Sequence, residues 1–198
     1  MRYRLTALAF LLIISSSSFA NDWQLEKNKE GIKVYTREKA GSEILEFKAI
    51  CEVAAPRLRV AEVVARITDY PNWFPDCANA QVLKSISSTK RKIYYEVDLP
   101  WPTSNRDVVM MLRVEVDKSA HSTTIFFDHA TGGKAEKEGV VRMPYADGFW
   151  KLTTIGKKTK VHYQFIADPG GSLPAWVINM FIVDGPYDTL IALKERLK

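Results

Sequence analysis

The sequence predicts an α+β fold in which one long C-terminal helix packs on a single large antiparallel sheet. Between residues 32 and 167 most of the chain consists of short β-branched runs, several of them alternating apolar with polar residues, separated by turn-forming residues, which is typical of strands. From residue 172 to 197 the apolar residues recur instead at spacings of three and four, which is typical of an amphipathic helix. A sheet with so many strands must curve, and the terminal helix is the element around which it can curve.

The strands follow in order between clear turn signals. Residues 32–36 and 46–53 form the first two predicted strands, and the second alternates strictly between apolar and polar side chains, as a half-buried antiparallel strand does. Seven further strands are predicted over residues 82–86, 92–98, 108–116, 122–127, 139–145, 149–154 and 160–167. Asp147-Gly148 precedes one of these runs and suits a tight hairpin turn.

Two helices complete the prediction. The first opens at Pro56, runs for about three turns and ends within residues 70–75, where two prolines resist continuation. Its buried face is expected to consist of Val60, Val63, Val64 and Ile67. The second is capped by Ser172, with Pro174 in its first turn, and is interrupted at Gly185-Pro186, which provides a hinge. Its apolar stripe comprises Trp176, Met180, Val183, Tyr187, Leu190 and Ile191.

Residues 1–20 have the pattern of a cleaved signal peptide. Arg2 and Arg4 precede an apolar run over residues 5–14, and Ser18 and Ala20 provide small residues at the cleavage-determining positions. An uncleaved anchor is the alternative. We expect cleavage after Ala20, leaving residues 21–198 as a single domain in the periplasm or outside the cell.

Composition and spacing argue against several kinds of partner. The net charge of +5 is mild and no basic stripe is interleaved with aromatic residues, so no nucleic-acid partner is expected. His121, His129 and His162 show no metal-ligand spacing with the two cysteines. Phosphate-cradling and nucleophile-elbow motifs do not occur either, and no metal or cofactor is predicted. Cys51 and Cys77 have two possible states: a disulfide in an oxidising compartment, or two buried free thiols.

Arg106 and Asp107 stand next to each other where an apolar strand begins. Successive side chains on a strand point to opposite faces, so one of the two could point inward. An inward polar group could fix the head of an amphiphile on an apolar wall, whereas the alternative is a pair that stabilises the preceding turn through backbone hydrogen bonds. A buried Arg106 would need a partner, for which Glu96 is the candidate.

Aromatic residues are the other candidates for a ligand site. Core packing explains most of them, but a helix carrying Trp176, Met180 and Phe181 could also form the wall or lid of a lipid-sized cavity, since methionine adapts to variable apolar shapes. The predicted ligand-binding residues are Glu96, Trp101, Arg106, Asp107, Trp150, Tyr163, Phe165, Trp176, Met180, Phe181 and Tyr187.

A series of short motifs occurs in one order along the chain: Gly31-Ile32-Lys33-Val34-Tyr35, Glu46-Phe47-Lys48-Ala49, Tyr70-Pro71-Asn72-Trp73, Pro100-Trp101-Pro102, Ser104-Asn105-Arg106-Asp107, Trp150-Lys151-Leu152, Asp168-Pro169-Gly170-Gly171, Leu173-Pro174-Ala175-Trp176 and Asn179. Together these motifs resemble the START (StAR-related lipid-transfer) domain family in its short secreted bacterial form. The resemblance covers residues 23–197 and implies a helix-grip fold, in which a curved antiparallel sheet wraps around the C-terminal helix and a hydrophobic tunnel between them holds one lipid. It also implies that the terminal helix and neighbouring loops act as the gate, and the family's Arg-Asp pair corresponds to Arg106 and Asp107.

Three hypotheses about function result. The first is a non-enzymatic monomer that binds one hydrophobic ligand, such as a phospholipid, fatty acid, sterol, hopanoid or quinone, and transfers it through transient contact with a membrane surface. The second is a cyclase- or hydrolase-like enzyme, which would need Glu96, Arg106, Asp107 and His162 to converge inside the cavity. The third is an envelope interaction module with a filled core and no cavity.

Overall fold

The structure is a computed structural model that describes residues 22–39 and 44–198. The predicted signal peptide lies outside the described residues. Within them there are ten strands: β1 Gln24–Lys29, β2 Ile32–Glu38, β3 Leu45–Val53, β4 Cys77–Ser85, β5 Lys90–Val97, β6 Asn105–Asp117, β7 Ser122–His129, β8 Val140–Arg142, β9 Tyr145–Ile155 and β10 Lys158–Asp168. The helical elements are α1 Arg57–Ala65, a 3₁₀ helix Ile67–Asn72, α2 Ala175–Asn179, a π-helical segment Met180–Asp184 and α3 Gly185–Arg196.

The strands form one curved, open sheet in the order β1-β2-β3-β10-β9-β7-β6-β5-β4. Every neighbouring pair along this path is antiparallel, and only the short β8 pairs in parallel, with β6. The C-terminal helix packs on the inner face, where α3 contacts β2 and β3. This architecture confirms the predicted antiparallel sheet wrapped around a terminal helix.

The buried face of the first helix confirms its sequence prediction, but α1 ends at Ala65, before the predicted residues 70–75, and the 3₁₀ helix Ile67–Asn72 follows it. The first strand was missed. Val60, Val63 and Val64 of α1 are buried together with Ile67, as their spacing predicts. The missed strand, β1, is an edge strand whose residues are mostly exposed. Since neither of its faces is buried, β1 carries no apolar alternation by which a strand could be recognised.

The predicted hairpin at Asp147-Gly148 is wrong, because both residues lie inside the long strand β9. Gly148 pairs with Phe165 of β10. A Cβ atom at Gly148 would lie 2.0 Å from Cδ2 of Phe165 and 2.4 Å from the carbonyl oxygen of Gln164. The Asp147 carboxylate accepts hydrogen bonds from the His129 backbone N–H and the Tyr145 hydroxyl. Glycine is present here because β10 and the Phe165 ring approach the backbone closely, which is the other common reason for a glycine inside a strand.

The C-terminal helix departs from its predicted start and face. Ser172 does not cap it: the N-cap position is Pro174, with no side-chain hydrogen bond. The expected interruption takes the form of the π-helical segment just before Gly185, where a Cβ atom would lie 2.8 Å from the Met180 carbonyl oxygen. A π turn contains more residues than an α turn, so it shifts the apolar face. As a result Val177 is fully buried, whereas Trp176 is 49% exposed.

The possible disulfide between Cys51 and Cys77 is not formed. Both are free thiols, Cys51 buried on β3 and Cys77 half-buried at the start of β4. Burial raises the pKa of Cys51 to about 11 and that of Cys77 to about 12, so both thiols stay protonated at neutral pH.

Candidate functional site

A cavity of about 550 Å³ lies between the inner face of the sheet and the C-terminal helix. Its volume falls within the range of roughly 300–1,000 Å³ that is usual for small-molecule sites. The sheet wall includes Ile93, Tyr95, Val97, Val108, Met110, Phe127, Trp150, Tyr163 and Phe165, and the helical wall includes Ile178, Met180, Phe181, Ile182, Pro186 and Thr189. The lining is therefore mostly apolar, with a few hydroxyl groups. The structure therefore contains a cavity, not the filled core that the third hypothesis required.

Five of the predicted ligand-binding residues line this cavity: Trp150, Tyr163, Phe165, Met180 and Phe181. The ring of Trp150 stacks on Tyr163 with centroids 4.0 Å apart, and Phe47 meets Tyr163 edge-on at 5.0 Å. These contacts hold the sheet wall in one arrangement. Direct contact between these five residues and a ligand stays a prediction.

Polar contacts tie the second half of the terminal helix to β1, to the turn between β1 and β2, and to the 3₁₀ helix. Lys27 of β1 forms an ion pair with Asp184 at 2.8 Å, and Lys194 donates a hydrogen bond of 2.8 Å to the Glu30 carbonyl oxygen. Arg196 pairs with Asp69. The Asp184 contact lies where the π-helical segment meets α3, and the other two hold α3 near its C-terminal end. The anchored part of the helix is thus α3, and the part that covers the cavity ahead of it is α2 with the π-helical segment.

Arg106 is buried on the inner face of β6 but belongs to a loop clamp, not to the cavity lining. Its guanidinium donates to the carbonyl oxygens of Pro169 at 3.2 Å, Gly170 at 3.3 Å, and Ser104. Burial lowers the pKa of this guanidinium. The prediction that Glu96 would be its partner is wrong. Arg106 instead joins the loop before β6 to the segment that leads into α2, the backbone-bonding role that we considered as the alternative.

Asp107 and Glu96 lie on the opposite, outer face of the sheet, because they are paired across strands β5 and β6 next to the inward Val97–Arg106 pair. Asp107 accepts two hydrogen bonds from Arg142, at 2.5 and 3.1 Å. Both carboxylates are buried, and neither lines the cavity.

The partners of Glu96 come from three different segments. It accepts hydrogen bonds from the Tyr94 hydroxyl at 2.9 Å, from Lys137 at 3.2 Å and from Asn105 at 3.5 Å. Burial acts to raise the pKa of Glu96, but these bonds outweigh it and the pKa lies below its usual value. Together with the Asp107–Arg142 pair, they attach the segment around residues 134–142 to the outer face of the sheet.

The remaining predicted site residues lie outside the cavity lining. Trp101 is 92% exposed on the loop before β6. Trp176 is turned outward by the change of helical face described above. Tyr187 is buried beneath Lys27, whose ammonium group lies 4.2 Å from the ring centroid. His162, which the enzymatic hypothesis required, hydrogen-bonds Gln164 at 3.0 Å and is also not a lining residue.

Sequence reasoning missed lining residues that strand alternation identifies. Ile93, Tyr95 and Val97 alternate along β5 and line the cavity, whereas the hydroxyl of Tyr94 donates a hydrogen bond to Glu96 on the outer face. Counting from Val97 inward would have selected Tyr95. Asp76 also lines the cavity. It adopts a left-handed backbone conformation with φ of 55°, which the residue types around it do not predict.

Neither a metal centre nor a membrane span is found in the part of the chain that the structure describes. Among these residues no group of three or more histidine, cysteine or acidic side chains could hold a metal ion. None of the helices at residues 22–39 and 44–198 combines the length and apolarity needed to cross a bilayer.

Comparison with known proteins gives consistent matches over nearly the whole chain. The family model described as START domain matches residues 12–197. An uncharacterised protein of Pseudomonas aeruginosa is 32% identical over 97% of this chain and 95% of its own length. Human phosphatidylcholine transfer protein is 26% identical over 83% of this chain and 78% of its own length.

Solved structures show the same fold. The STAR-related lipid transfer protein fragment from Xanthomonas axonopodis is 34% identical, with a TM-score of 0.81, and the match covers 89% of this chain and 99% of the fragment. Human StAR-related lipid transfer protein 5 has the same TM-score of 0.81 at 16% identity, covering 92% of this chain and 88% of that one. The latter likeness extends to the fold alone.

Proposed function

Because this chain belongs to the START domain family, whose characterised members bind or transfer lipids, we propose that it binds one hydrophobic ligand in the cavity and transfers it between membranes. The observation that carries the proposal is the apolar cavity of about 550 Å³ beneath the C-terminal helix. Removal of apolar ligand surface from water supplies the driving force, at about 25 cal/mol per Å².

The gate in this proposal is the helical segment ahead of the anchored α3. Ile178, Met180 and Phe181 cover the cavity from this segment, and the π-helical segment ends at Asp184, where the Lys27 ion pair fixes the start of α3. π-Helical turns and glycine-proline pairs are places where helices bend. Movement of α2 about residues 180–186 would open the cavity while α3 stays on the sheet.

We further propose that α2 and the loop before β6 contact the membrane surface. Trp101 is 92%, Trp176 49% and Ile178 40% exposed, and the loops that precede α2 and β6 are joined by Arg106. Ile178 also lines the cavity. Exposed tryptophans are suited to the interface of a bilayer, because one end of the ring is apolar and the other can be hydrated.

Replacing Trp101 and Trp176 with serine is expected to weaken binding to vesicles of phosphatidylcholine and phosphatidylglycerol by about tenfold for each substitution, since each removes apolar surface that the bilayer would bury. Vesicle co-sedimentation measures the effect. Leu58→Ser is the matched control, because Leu58 is 67% exposed on α1, away from the proposed gate. Equal vesicle binding by the tryptophan variants and the control would contradict this contact surface.

The proposed location is the periplasm or the cell exterior, reached by cleavage of residues 1–20 after Ala20, and the proposed working form is a monomer of residues 21–198. The basic start, apolar run and small residues of the leader support this location.

The function is tested by native mass spectrometry of the mature protein purified from its host, with organic extraction of any bound molecule. We expect a one-to-one complex with a lipid. A ligand-free mass, together with no uptake after incubation with mixed vesicles, would remove the support for lipid binding and return the enzymatic hypothesis to consideration.

A further inference from the structure

The cavity contains hydroxyl groups without protein partners. Tyr163 is 9% and Thr189 2% exposed, Tyr95 is half-buried, and all three line the cavity. Their hydroxyls form no hydrogen bond to any residue in the described part of the chain. Tyr70, a fourth lining residue, differs in this respect because its hydroxyl donates to the Val64 carbonyl oxygen at 2.7 Å.

These hydroxyls remain accessible from the cavity. The fully enclosed, unpaired side-chain atoms among the described residues are Nε of Arg57, Nε1 of Trp73 and Nδ1 of His129, and the three hydroxyls are not in that group. Tyr95 lies on β5 and Tyr163 on β10, with β9, β7 and β6 between them in the sheet order, and both side chains line the same cavity. The two side chains therefore reach the cavity from two separate strands of the sheet wall. A buried donor is costly to leave unpaired, and a bound molecule can supply the missing acceptor.

The charges of the lining exclude one type of ligand group. The described lining residues include no lysine, arginine or histidine, and their only formally charged side chains are Asp76 and Asp168. Burial and the carboxylates of Asp188 and Asp98 raise the pKa of Asp76. Asp168 accepts a hydrogen bond from the Gly170 N–H at 2.8 Å. Arg106 lies beside the segment that follows Asp168, but its guanidinium donates to three backbone carbonyl oxygens. An enclosed phosphate or carboxylate would lose its hydration without gaining a cationic partner, which is strongly unfavourable.

We propose that the enclosed part of the ligand is uncharged and carries a carbonyl or hydroxyl oxygen, which accepts hydrogen bonds from Tyr95 and Tyr163. Thr189 provides a third hydroxyl from the helical wall. This inference rests on the proposed ligand-binding function and narrows its ligand class. Sterol-like alcohols, quinones and neutral esters have the required chemistry, whereas ionised fatty acids do not, and a phospholipid fits only with its phosphate outside the cavity.

The test uses three ligands with the same sixteen-carbon chain: hexadecan-1-ol, methyl palmitate and sodium palmitate. Each competes at pH 8 with a neutral fluorescent lipid probe bound to mature wild-type protein. We expect the alcohol and the ester to displace the probe at least tenfold more effectively than palmitate. Palmitate should improve as the pH falls, because its protonated form is the neutral one.

Two hydroxyl deletions test the hydrogen bonds. Tyr95→Phe and Tyr163→Phe keep the rings, and each is expected to weaken binding of the alcohol and the ester about fivefold. Because neither hydroxyl has a protein partner, both variants should unfold at the wild-type temperature. Tyr35→Phe is the matched control, since Tyr35 lies on β2 and does not line the cavity.

The possible results of these experiments test three different parts of the proposal. Displacement by palmitate equal to or better than that by the alcohol would overturn the neutral-ligand inference while lipid binding stands. Unchanged affinity in both phenylalanine variants would overturn the role of the two hydroxyls. If neither the probe nor any of the three ligands binds the wild type, the proposed function and this inference both fail.

Discussion

Replacing Asp107 with alanine is expected to lower the free energy of unfolding by about 3 kcal/mol. Its side chain is 1% exposed and accepts two hydrogen bonds from Arg142, which is 20% exposed. Removing the carboxylate leaves a largely buried guanidinium without its anionic partner. The expected cost is at the low end for a broken buried pair, because Arg142 keeps its weaker bonds to the carbonyl oxygens of Lys134 and Ala135.

Urea unfolding of the mature protein measures this effect. Asp128→Ala is the matched control, because Asp128 pairs with Arg113 at 3.5 Å on the surface, where both side chains are partly exposed, and its loss should cost less than about 1 kcal/mol. A double-mutant cycle with Arg142→Ala isolates the pairing energy. If the Asp107 and Asp128 variants lost equal stability, the outer-face pair would not have the structural role that we assign to it.

The same variant separates a structural role of Asp107 from a role in ligand binding. Asp107 lies on the face of the sheet opposite the cavity, so Asp107→Ala should leave ligand affinity unchanged once the protein is folded. A loss of affinity larger than the loss of stability explains would place Asp107 in contact with the ligand and contradict the geometry.

Gly148→Ala is also expected to destabilise the fold by about 3 kcal/mol, the upper end of the usual cost of overpacking. The new methyl group would lie 2.4 Å from the Gln164 carbonyl oxygen and 2.0 Å from Cδ2 of Phe165. The Phe165 ring can move, but the Gln164 carbonyl oxygen belongs to the backbone of β10, which is held by its pairing with β9. Since Phe165 lines the cavity, its displacement should also weaken ligand binding.

Thermal unfolding with Gly156→Ala as the control distinguishes close approach from a general intolerance of glycine replacement. Gly156 has a φ of +57° and nothing within 4 Å of an added Cβ atom, so its cost is only the left-handed backbone penalty of roughly 1 kcal/mol. We expect the Gly148 variant to melt about 4–8 °C below the Gly156 variant. Equal melting temperatures would show that β9 and β10 can separate without penalty.

The elements whose buried face has a regular period were predictable from the sequence. The valines of α1 and the alternation of β3 and β5 identify their inner faces, because burial on one face imposes the period of the backbone on the residue types. Edge strand β1 has no buried face and was missed. In the terminal helix a constant period of 3.6 selects Trp176, but the extra residue of the π turn rotates that side chain outward.

The sequence by itself determined the fold class, the antiparallel sheet, the terminal helix and five residues of the cavity wall, since these depend on local periodicity and on motifs in a fixed order. Only the tertiary structure decided that Arg106 clamps two loops and that Asp107 and Glu96 hold a segment on the outer face. Adjacent residues on a strand point to opposite faces, and their partners lie up to 64 positions away in the chain. Partners brought together by strand pairing and loop packing leave no signal at either position alone.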